Sequence, residues 1–251
     1  MRLRIIIASN SPAMGTVSPT SGAALPAWNQ SSTVSRVNGP TVLARGPWRP
    51  EEIGCAWRAE PFEASPEAAA AADQKVAALA AKGSPSHDGL AARLFDFTYE
   101  EGRLALELQP VRWSLRLVEG DAQGSLAALC LVRSRDGRWL AGRRASWLAT
   151  WAGRWALGAG GAVEVDENPV ETLSRELEEE WSLIPTALSV EALLRLPGNV
   201  TMLIGLAEVP DDPPLVRDAE HDDHAWWPAD PADWPIEPQS PLRAMAAFLA
   251  S

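Results

Sequence analysis

Three glutamates, Glu176, Glu179 and Glu180, lie close together in the sequence and directly follow Arg175. On a helix, their i, i+3 and i+4 spacing places the three carboxylates on one side, within an arc of about 100°. Like charges at this spacing repel by about a few tenths of a kcal/mol, and a hard cation such as Mg²⁺ or Mn²⁺ turns that repulsion into attraction. The trio is therefore a candidate metal site, although the solvent-exposed face of any acidic helix can have the same composition.

The residues around the trio predict the helix that this spacing requires. Asn168 is a favourable N-cap, and Pro169 suits the first helical position. Glu171 and Glu178 fall on one flank of this helix, and the trio falls on the other. Between the flanks lie four apolar side chains that predict a buried stripe, because the last three fall within about 60° of the first around the helix: Val170, Leu173, Leu177 and Trp181.

The order of residues from Gly161 to Leu183 is a more specific signal. It reads Gly161, five residues, Glu167, seven residues, and then Arg175-Glu176-Leu177-x-Glu179-Glu180-x-Ser182-Leu183. This order resembles the signature of the Nudix (MutT-like) hydrolases, G-x5-E-x7-R-E-U-x-E-E-x-G-U, in which U is a bulky aliphatic residue. Ser182 replaces the last glycine, at a helix end where left-handed backbone is common. We expect this departure to affect the local loop more than the chemistry.

The resemblance implies a role for each matching residue. Arg175 corresponds to the arginine that orients a glutamate, and it can reach Glu179 at i+4. Glu167 corresponds to the acid in the loop before the helix, and Gly160 and Gly161 to the glycines that let the backbone pass close to metal and phosphates. The resemblance implies that the principal metal carboxylates are Glu176, Glu179 and Glu180. It also places these three, together with Arg175, among the catalytic residues.

The fold implied by the resemblance is an α/β (α+β) class, a Nudix α/β/α sandwich with a mixed sheet, over residues 125–251. The sequence agrees with this expectation, because "SLAALCLVRS" and "RWLAGRRA" predict strands joined by a tight turn at Asp136-Gly137. Two more strands are predicted in "LSVEALLRLPG" and "VTMLIGLAEV". An acidic loop, "DDPPLVRDAEHDDH", is expected after them, and "SPLRAMAAFLA" predicts a final helix.

The first half of the chain predicts a separate organisation. Residues 1–39 are rich in Ser, Thr, Pro, Ala and Gly and predict a disordered tail, in which Met1 and Met14 are both candidate starts. Residues 40–124 predict a small N-terminal α+β accessory unit with a helix that begins at Pro66. Within it, "HDGLAARLFDFTYEEGRLALELQPVRWS" resembles the region before the Nudix box in UDP-sugar diphosphatases related to the human UDP-glucose hydrolase. This second resemblance implies a nucleotide sugar as substrate.

Further candidate site residues lie outside the signature. Arg143 and Arg144 end a predicted strand just before the box and could clasp a phosphate, although arginines at a strand end are more often only exposed. Glu220 follows the core strands, where some relatives place an extra metal carboxylate or base. His221 and His224 have the spacing of zinc ligands, but we expect no zinc site because no third ligand is near.

Composition limits the classes of partner. A formal net charge of −11 argues against nucleic-acid and anionic-membrane binding. The two cysteines, Cys55 and Cys130, suggest a reducing compartment, and the short apolar run after Met1 is not a secretory signal, so a cytoplasmic location is expected.

The function implied by the resemblance is metal-dependent hydrolysis of a diphosphate bond in a nucleoside diphosphate linked to another group. Mg²⁺ or Mn²⁺ is the expected cofactor and a small-molecule nucleoside diphosphate derivative the expected partner, with a homodimer left open. Two alternatives share the fold: an isopentenyl diphosphate isomerase-like enzyme, which needs an active-site cysteine, and a non-catalytic nucleotide-binding regulator, which often loses box glutamates.

Overall fold

The computed structural model describes residues 39–83, 88–148 and 151–250. The predicted disordered tail, except its last residue, and the choice between Met1 and Met14 lie outside the described residues. The helices are α1 (Pro66–Ala81), α2 (Pro169–Trp181) and α3 (Pro241–Ala250). The strands are β1 (Thr41–Trp48), β2 (Ile53–Trp57), β3 (Leu90–Glu100), β4 (Arg103–Arg112), β5 (Leu126–Ser134), β6 (Trp139–Arg144), β7 (Trp155–Leu157), β8 (Ala159–Ala162), β9 (Ala187–Leu196), β10 (Val200–Val209) and β11 (His221–Trp227).

A mixed sheet of eight strands forms the centre of the molecule. Its main path is β1-β9-β10-β5-β6-β11, with β7 paired to β6 and β8 paired to β5. The β5–β10 pair is parallel, and its neighbours are antiparallel. Helix α2 packs on one face, where Leu173 and Leu177 join the core. Helix α3 packs on the other face through Leu242 and Ala246. The α/β/α sandwich with a mixed sheet is therefore confirmed.

Helix α2 begins and ends as its sequence predicts. Asn168 accepts a hydrogen bond from the amide of Val170, and the carboxylate of Glu171 accepts one from the amide of Asn168, so the N-terminus has a capping box. All four residues of the predicted apolar stripe are buried. The stripe faces the sheet, which fixes the rotation of the helix about its axis and hence the direction in which its glutamates point.

The N-terminal region contains a second, three-stranded sheet with the order β2-β4-β3. Its residues Leu94, Leu104 and Leu106 share one buried cluster with Leu173 and Leu177 of α2, so this sheet packs on the same face of the central sheet as α2. The amide of Ala92 also donates to the carbonyl of Val163, just after β8. The accessory sheet is therefore joined directly to the segment that carries the candidate site.

Two elements differ from the sequence predictions. Strand β1, predicted within the N-terminal unit, pairs with β9 at the edge of the central sheet. Residues His221 to His224, predicted as part of an acidic loop, begin β11, because they pair with β6 and set Asp223 opposite Arg143. In the parts of the chain that the structure describes, no helix is long and apolar enough to cross a membrane.

Candidate active site

The glycines before α2 allow a close approach between strand and helix. A side chain on Gly161 would place its Cβ 2.0 Å from Oε1 of Glu176, so only glycine fits beside this carboxylate. At Gly160 a Cβ would lie 2.9 Å from the carbonyl oxygen of Ala128. The amide of Gly160 donates a hydrogen bond to Oε1 of Glu180 at 3.4 Å. Both glycines of the predicted site therefore lie against the predicted carboxylates.

Three carboxylates are almost completely buried at this place. Glu176, Glu180 and Glu220 have exposed fractions of 2%, 3% and 4%. Burial raises the pKa of Glu176 to about 7, with Arg175 opposing the shift and the charges of Glu179 and Glu220 adding to it. Burial also raises the pKa of Glu180 well above its usual value, and the charges of Glu176 and Glu220 add to this shift. Arg175 pairs with Glu176 and Arg144 with Glu220, yet burial and the neighbouring carboxylates still disfavour the charged forms of Glu176 and Glu180.

Arg175 connects the glutamates of the helix with the loop before it. Its Nη1 donates to Glu176 at 2.7 Å and to Glu179 at 3.3 Å, while Nε donates to Glu167 at 2.8 Å. Its Nη2 also donates to the carbonyl oxygen of Ala162 at 3.1 Å. One guanidinium thus fixes the orientation of three carboxylates relative to β8, which agrees with the role that the resemblance implies.

Glu167 is held by a full set of donors. Thr172 Oγ1 donates to it at 2.7 Å and the Glu164 amide at 3.0 Å, in addition to Arg175. Burial alone would raise the pKa of Glu167, but the hydrogen bonds from Arg175, Glu164 and Thr172 lower it below the usual value. Glu167 is therefore ionised at neutral pH, and its contacts are those of a residue that orders the loop.

Glu220 joins the cluster, whereas the two predicted phosphate-binding arginines separate. Arg144 is buried and lies 3.4 Å from the carboxylate of Glu220. Arg143 is exposed and pairs with Asp223 at 3.7 Å. Adjacent residues of a strand point to opposite faces, so the two guanidinium groups do not converge on one ligand. Of the pair, only Arg144 lies at the carboxylate cluster.

Two residues beside the carboxylates, Asp218 and His221, are not predicted as site residues from the sequence. The amides of Val216 and Asp218 donate to the carbonyls of Trp181 and Glu180, and so satisfy the open C-terminus of α2. This docking brings Asp218 within 3.2 Å of Nδ1 of His221, whose Nε2 lies 3.8 Å from Glu180. The His221 ring packs against Trp181 at a centroid distance of 4.5 Å, with the two rings tilted by 39°. The sequence contains no local signal for this contact, because it depends on where the loop docks.

The departure at Ser182 has the expected structural result. Ser182 adopts the left-handed conformation that the signature glycine would occupy, with φ 53° and ψ 36°. Its amide donates to the carbonyl of Glu178 at 2.9 Å, and the Leu183 amide donates to Leu177 at 3.2 Å. The helix end is therefore conserved in shape despite the different residue.

The chemistry of the donor set fits a hard divalent cation. Glu176, Glu180 and Glu220 supply buried carboxylate oxygens, the ligand type that Mg²⁺ and Mn²⁺ prefer, and the raised pKa values of Glu176 and Glu180 show that burial disfavours their charged forms. In residues 39–83, 88–148 and 151–250, however, no three His, Cys, Asp or Glu side chains are already arranged as metal ligands. Arg175 explains part of this difference, since its hydrogen bonds turn Glu176 and Glu179 toward the guanidinium.

Residues 125–245 match the family model of the NUDIX domain. Similar solved structures include the MutT protein from Methanosarcina mazei Go1, with 24% identity over 50% of this chain and 90% of that chain and a TM-score of 0.40. Another is the Nudix hydrolase RenU from M. smegmatis, with 22% identity over 65% of this chain and 92% of that chain and a TM-score of 0.38. No curated protein is similar enough to this chain to count as a match.

The domain match covers the segment that contains the glycines, Arg175 and the clustered glutamates. Residues 125–245 of this chain therefore form a Nudix domain. The assignment depends on the domain match, since the solved structures have low identities and low TM-scores.

Proposed function

We propose that the protein hydrolyses a diphosphate bond in a nucleoside diphosphate linked to another group, with Mg²⁺ or Mn²⁺ bound by Glu176, Glu179 and Glu180 and assisted by Glu220. The observation that carries the proposal is the burial of three carboxylates in one cluster beside two glycines whose side-chain space is already filled. The pKa values of Glu176 and Glu180 stay raised despite the arginines that pair with this cluster, so their charged forms are costly in the folded core, and a bound cation would offset that cost.

A divalent cation in such a site polarises phosphoryl oxygens, neutralises the charge of the transition state and acidifies a bound water. The chain supplies the remaining functions. Arg175 fixes the orientation of Glu176 and Glu179, and Gly161 lets the carboxylate of Glu176 lie directly against the backbone of β8. A carboxylate that the cation does not fully occupy would accept the proton of the attacking water.

A nucleotide sugar is the substrate class that we propose, with a nucleoside monophosphate and a sugar 1-phosphate as products. This choice depends on the resemblance of the region that forms β3 and β4, which lies directly beside the Nudix segment. The isomerase alternative receives no support from the cysteines, because burial raises the pKa of Cys55 to about 11 and that of Cys130 further. Both thiols therefore stay protonated at neutral pH.

The test is a substrate panel of nucleotide sugars, ADP-ribose, dinucleoside polyphosphates, nucleoside di- and triphosphates and CoA, with Mg²⁺ and with Mn²⁺. We expect phosphate-containing products from at least one diphosphate derivative and complete loss of turnover in excess EDTA. Turnover that persists undiminished in EDTA would contradict the metal assignment. Formation of a dimethylallyl isomer from isopentenyl diphosphate would instead support the alternative enzyme.

A further inference from the structure

One buried cation of the N-terminal region, Arg116, has no hydrogen-bonding partner among the described residues. Arg116 lies in the 3₁₀ turn Trp113–Leu117, which follows β4 and precedes the Nudix domain. Only 8% of its surface is exposed, and it forms no hydrogen bond or ion pair within the described parts of the chain. A buried guanidinium without an acceptor is destabilising, so its presence needs a reason outside the folded core.

The turn that carries Arg116 is packed against the candidate site. Trp113 contacts Ala162 and Ala91 in one small buried cluster. Ala162 follows Gly161, and its carbonyl oxygen accepts a hydrogen bond from Arg175. Burial lowers the pKa of Arg116 to about 9, so the guanidinium stays charged at neutral pH. The negative charge of Glu176 partly opposes this shift, which means that the two side chains interact electrostatically.

Arg116 is not completely enclosed, since 8% of its surface is exposed. An anion bound at this place would supply the acceptors that the described residues do not provide. Two or more parallel N–H groups in a site of low polarity are well suited to phosphate oxygens.

We propose that Arg116 is a substrate-binding residue whose guanidinium donates hydrogen bonds to a phosphate oxygen of the diphosphate substrate. The N-terminal region thereby contributes a phosphate-binding residue from outside the Nudix domain. This inference rests on the proposed function for the identity of the substrate, but it depends on residues outside the Nudix signature. It also gives the accessory sheet a role in binding, because β4 leads directly into the turn.

Arg112, four residues earlier, provides a matched control. It donates to Asp73 at 2.6 Å and to Asp88 at 2.6 Å, which are the contacts of an arginine that stabilises the fold. Replacing both residues in turn with methionine removes the same charge from a partnered and an unpartnered position. We expect Arg112→Met to lower Tm and Arg116→Met to leave Tm unchanged or to raise it, since no ion pair is lost.

The decisive measurement is calorimetric binding of methylenediphosphonate, a diphosphate that is not hydrolysed, at Mg²⁺ concentrations that saturate each variant. We expect Kd to rise about tenfold in Arg116→Met, to recover in part in Arg116→Lys, and to change less than about twofold in Arg112→Met. Equal Kd values for the wild type and Arg116→Met would overturn the inference, as would a wild type that does not bind. A fall in Tm of Arg116→Met with unchanged Kd would assign the residue to the fold instead.

Hydrolysis separates this inference from the proposed function. If the wild type binds methylenediphosphonate through Arg116 but cleaves no member of the substrate panel, the proposed function fails and the binding site stands. If the wild type cleaves a substrate and Arg116→Met has the same KM, the proposed function stands and the binding site fails. For a substrate that is cleaved, we expect KM to rise about tenfold with a smaller change in kcat.

Discussion

The two flanks of α2 carry the same residue type in opposite surroundings. Glu176 and Glu180 are buried beside β8, and burial raises the pKa of both. Glu171 and Glu178, on the other flank, are exposed to solvent. The difference comes from the apolar stripe between the two flanks. Because this stripe packs on the sheet, one flank lies against the glycines of β8 and the other faces solvent. The functional character of a glutamate in this helix is therefore determined by direction, not by sequence neighbourhood.

The largest expected effect follows from removing charge on the buried flank. Glu179→Gln and Glu180→Gln keep the size of the side chain and remove a metal-binding carboxylate. We expect each to lower kcat by about 10²-fold or more, which corresponds to about 2.7 kcal/mol of transition-state stabilisation. Steady-state kinetics on the substrate found in the panel measures this. Circular dichroism and Tm serve as controls, and a loss of folding would make the comparison between flanks invalid.

A smaller effect is expected from the strand side of the same contact. In Gly161→Ala, the new Cβ meets Glu176 Oε1 at 2.0 Å, so the carboxylate or the strand must move. We expect kcat to fall about tenfold, since displacement of a liganding group by about 1 Å costs this much or more. Gly54→Ala, in β2, where an added Cβ would lie no closer than 3.9 Å to its neighbours, is the steric control. Full activity of Gly161→Ala would show that the approach of β8 to α2 is not needed.

Much of this comparison could be predicted from the sequence, because it depends on local periodicity. The capping residues Asn168 and Pro169 fixed the start of α2, and the apolar stripe fixed its rotation. The near-complete burial of Glu180 was less predictable, since it requires the loop that contains Asp218 to dock on the helix C-terminus. That docking is a long-range contact, and no periodic pattern encodes it.

The separation of Arg143 from Arg144 could have been predicted. Neighbouring residues in a strand face opposite sides of the sheet, and the strand itself was predicted correctly. Arg116 differs, because its sequence surroundings resemble any turn, and only the folded structure shows that it is buried without a hydrogen-bonding partner among the described residues. The pairing of β1 with β9 is likewise a contact between distant segments that local propensity does not specify.

The pH dependence of metal binding provides a third test of the buried flank. The pKa of Glu176 is raised from 4.5 to about 7, so its protonated form stabilises the metal-free protein, and this contribution is lost as pH rises through about 7. A cation competes with that proton. Its affinity should therefore be about tenfold higher at pH 8 than at pH 6, about 1.4 kcal/mol. We expect the rise in Tm produced by saturating Mg²⁺ to be larger at pH 8 by about 3–5 °C. An equal rise at both pH values would place the cation elsewhere.

The smallest expected effect lies on the exposed flank and completes the comparison. Glu178→Gln makes the same chemical change as Glu179→Gln one position earlier, about 100° away around the helix. Glu178 is exposed, and its backbone carbonyl, which accepts from Ser182, is not altered by the substitution. We expect kcat to change less than about threefold and the free energy of unfolding by less than about 0.5 kcal/mol. Kinetics under the conditions used for Glu180→Gln measures the contrast directly. If Glu178→Gln were as damaging as Glu180→Gln while circular dichroism stayed unchanged, burial would not be what distinguishes the two flanks, and the assignment of the metal site to the buried one would be wrong.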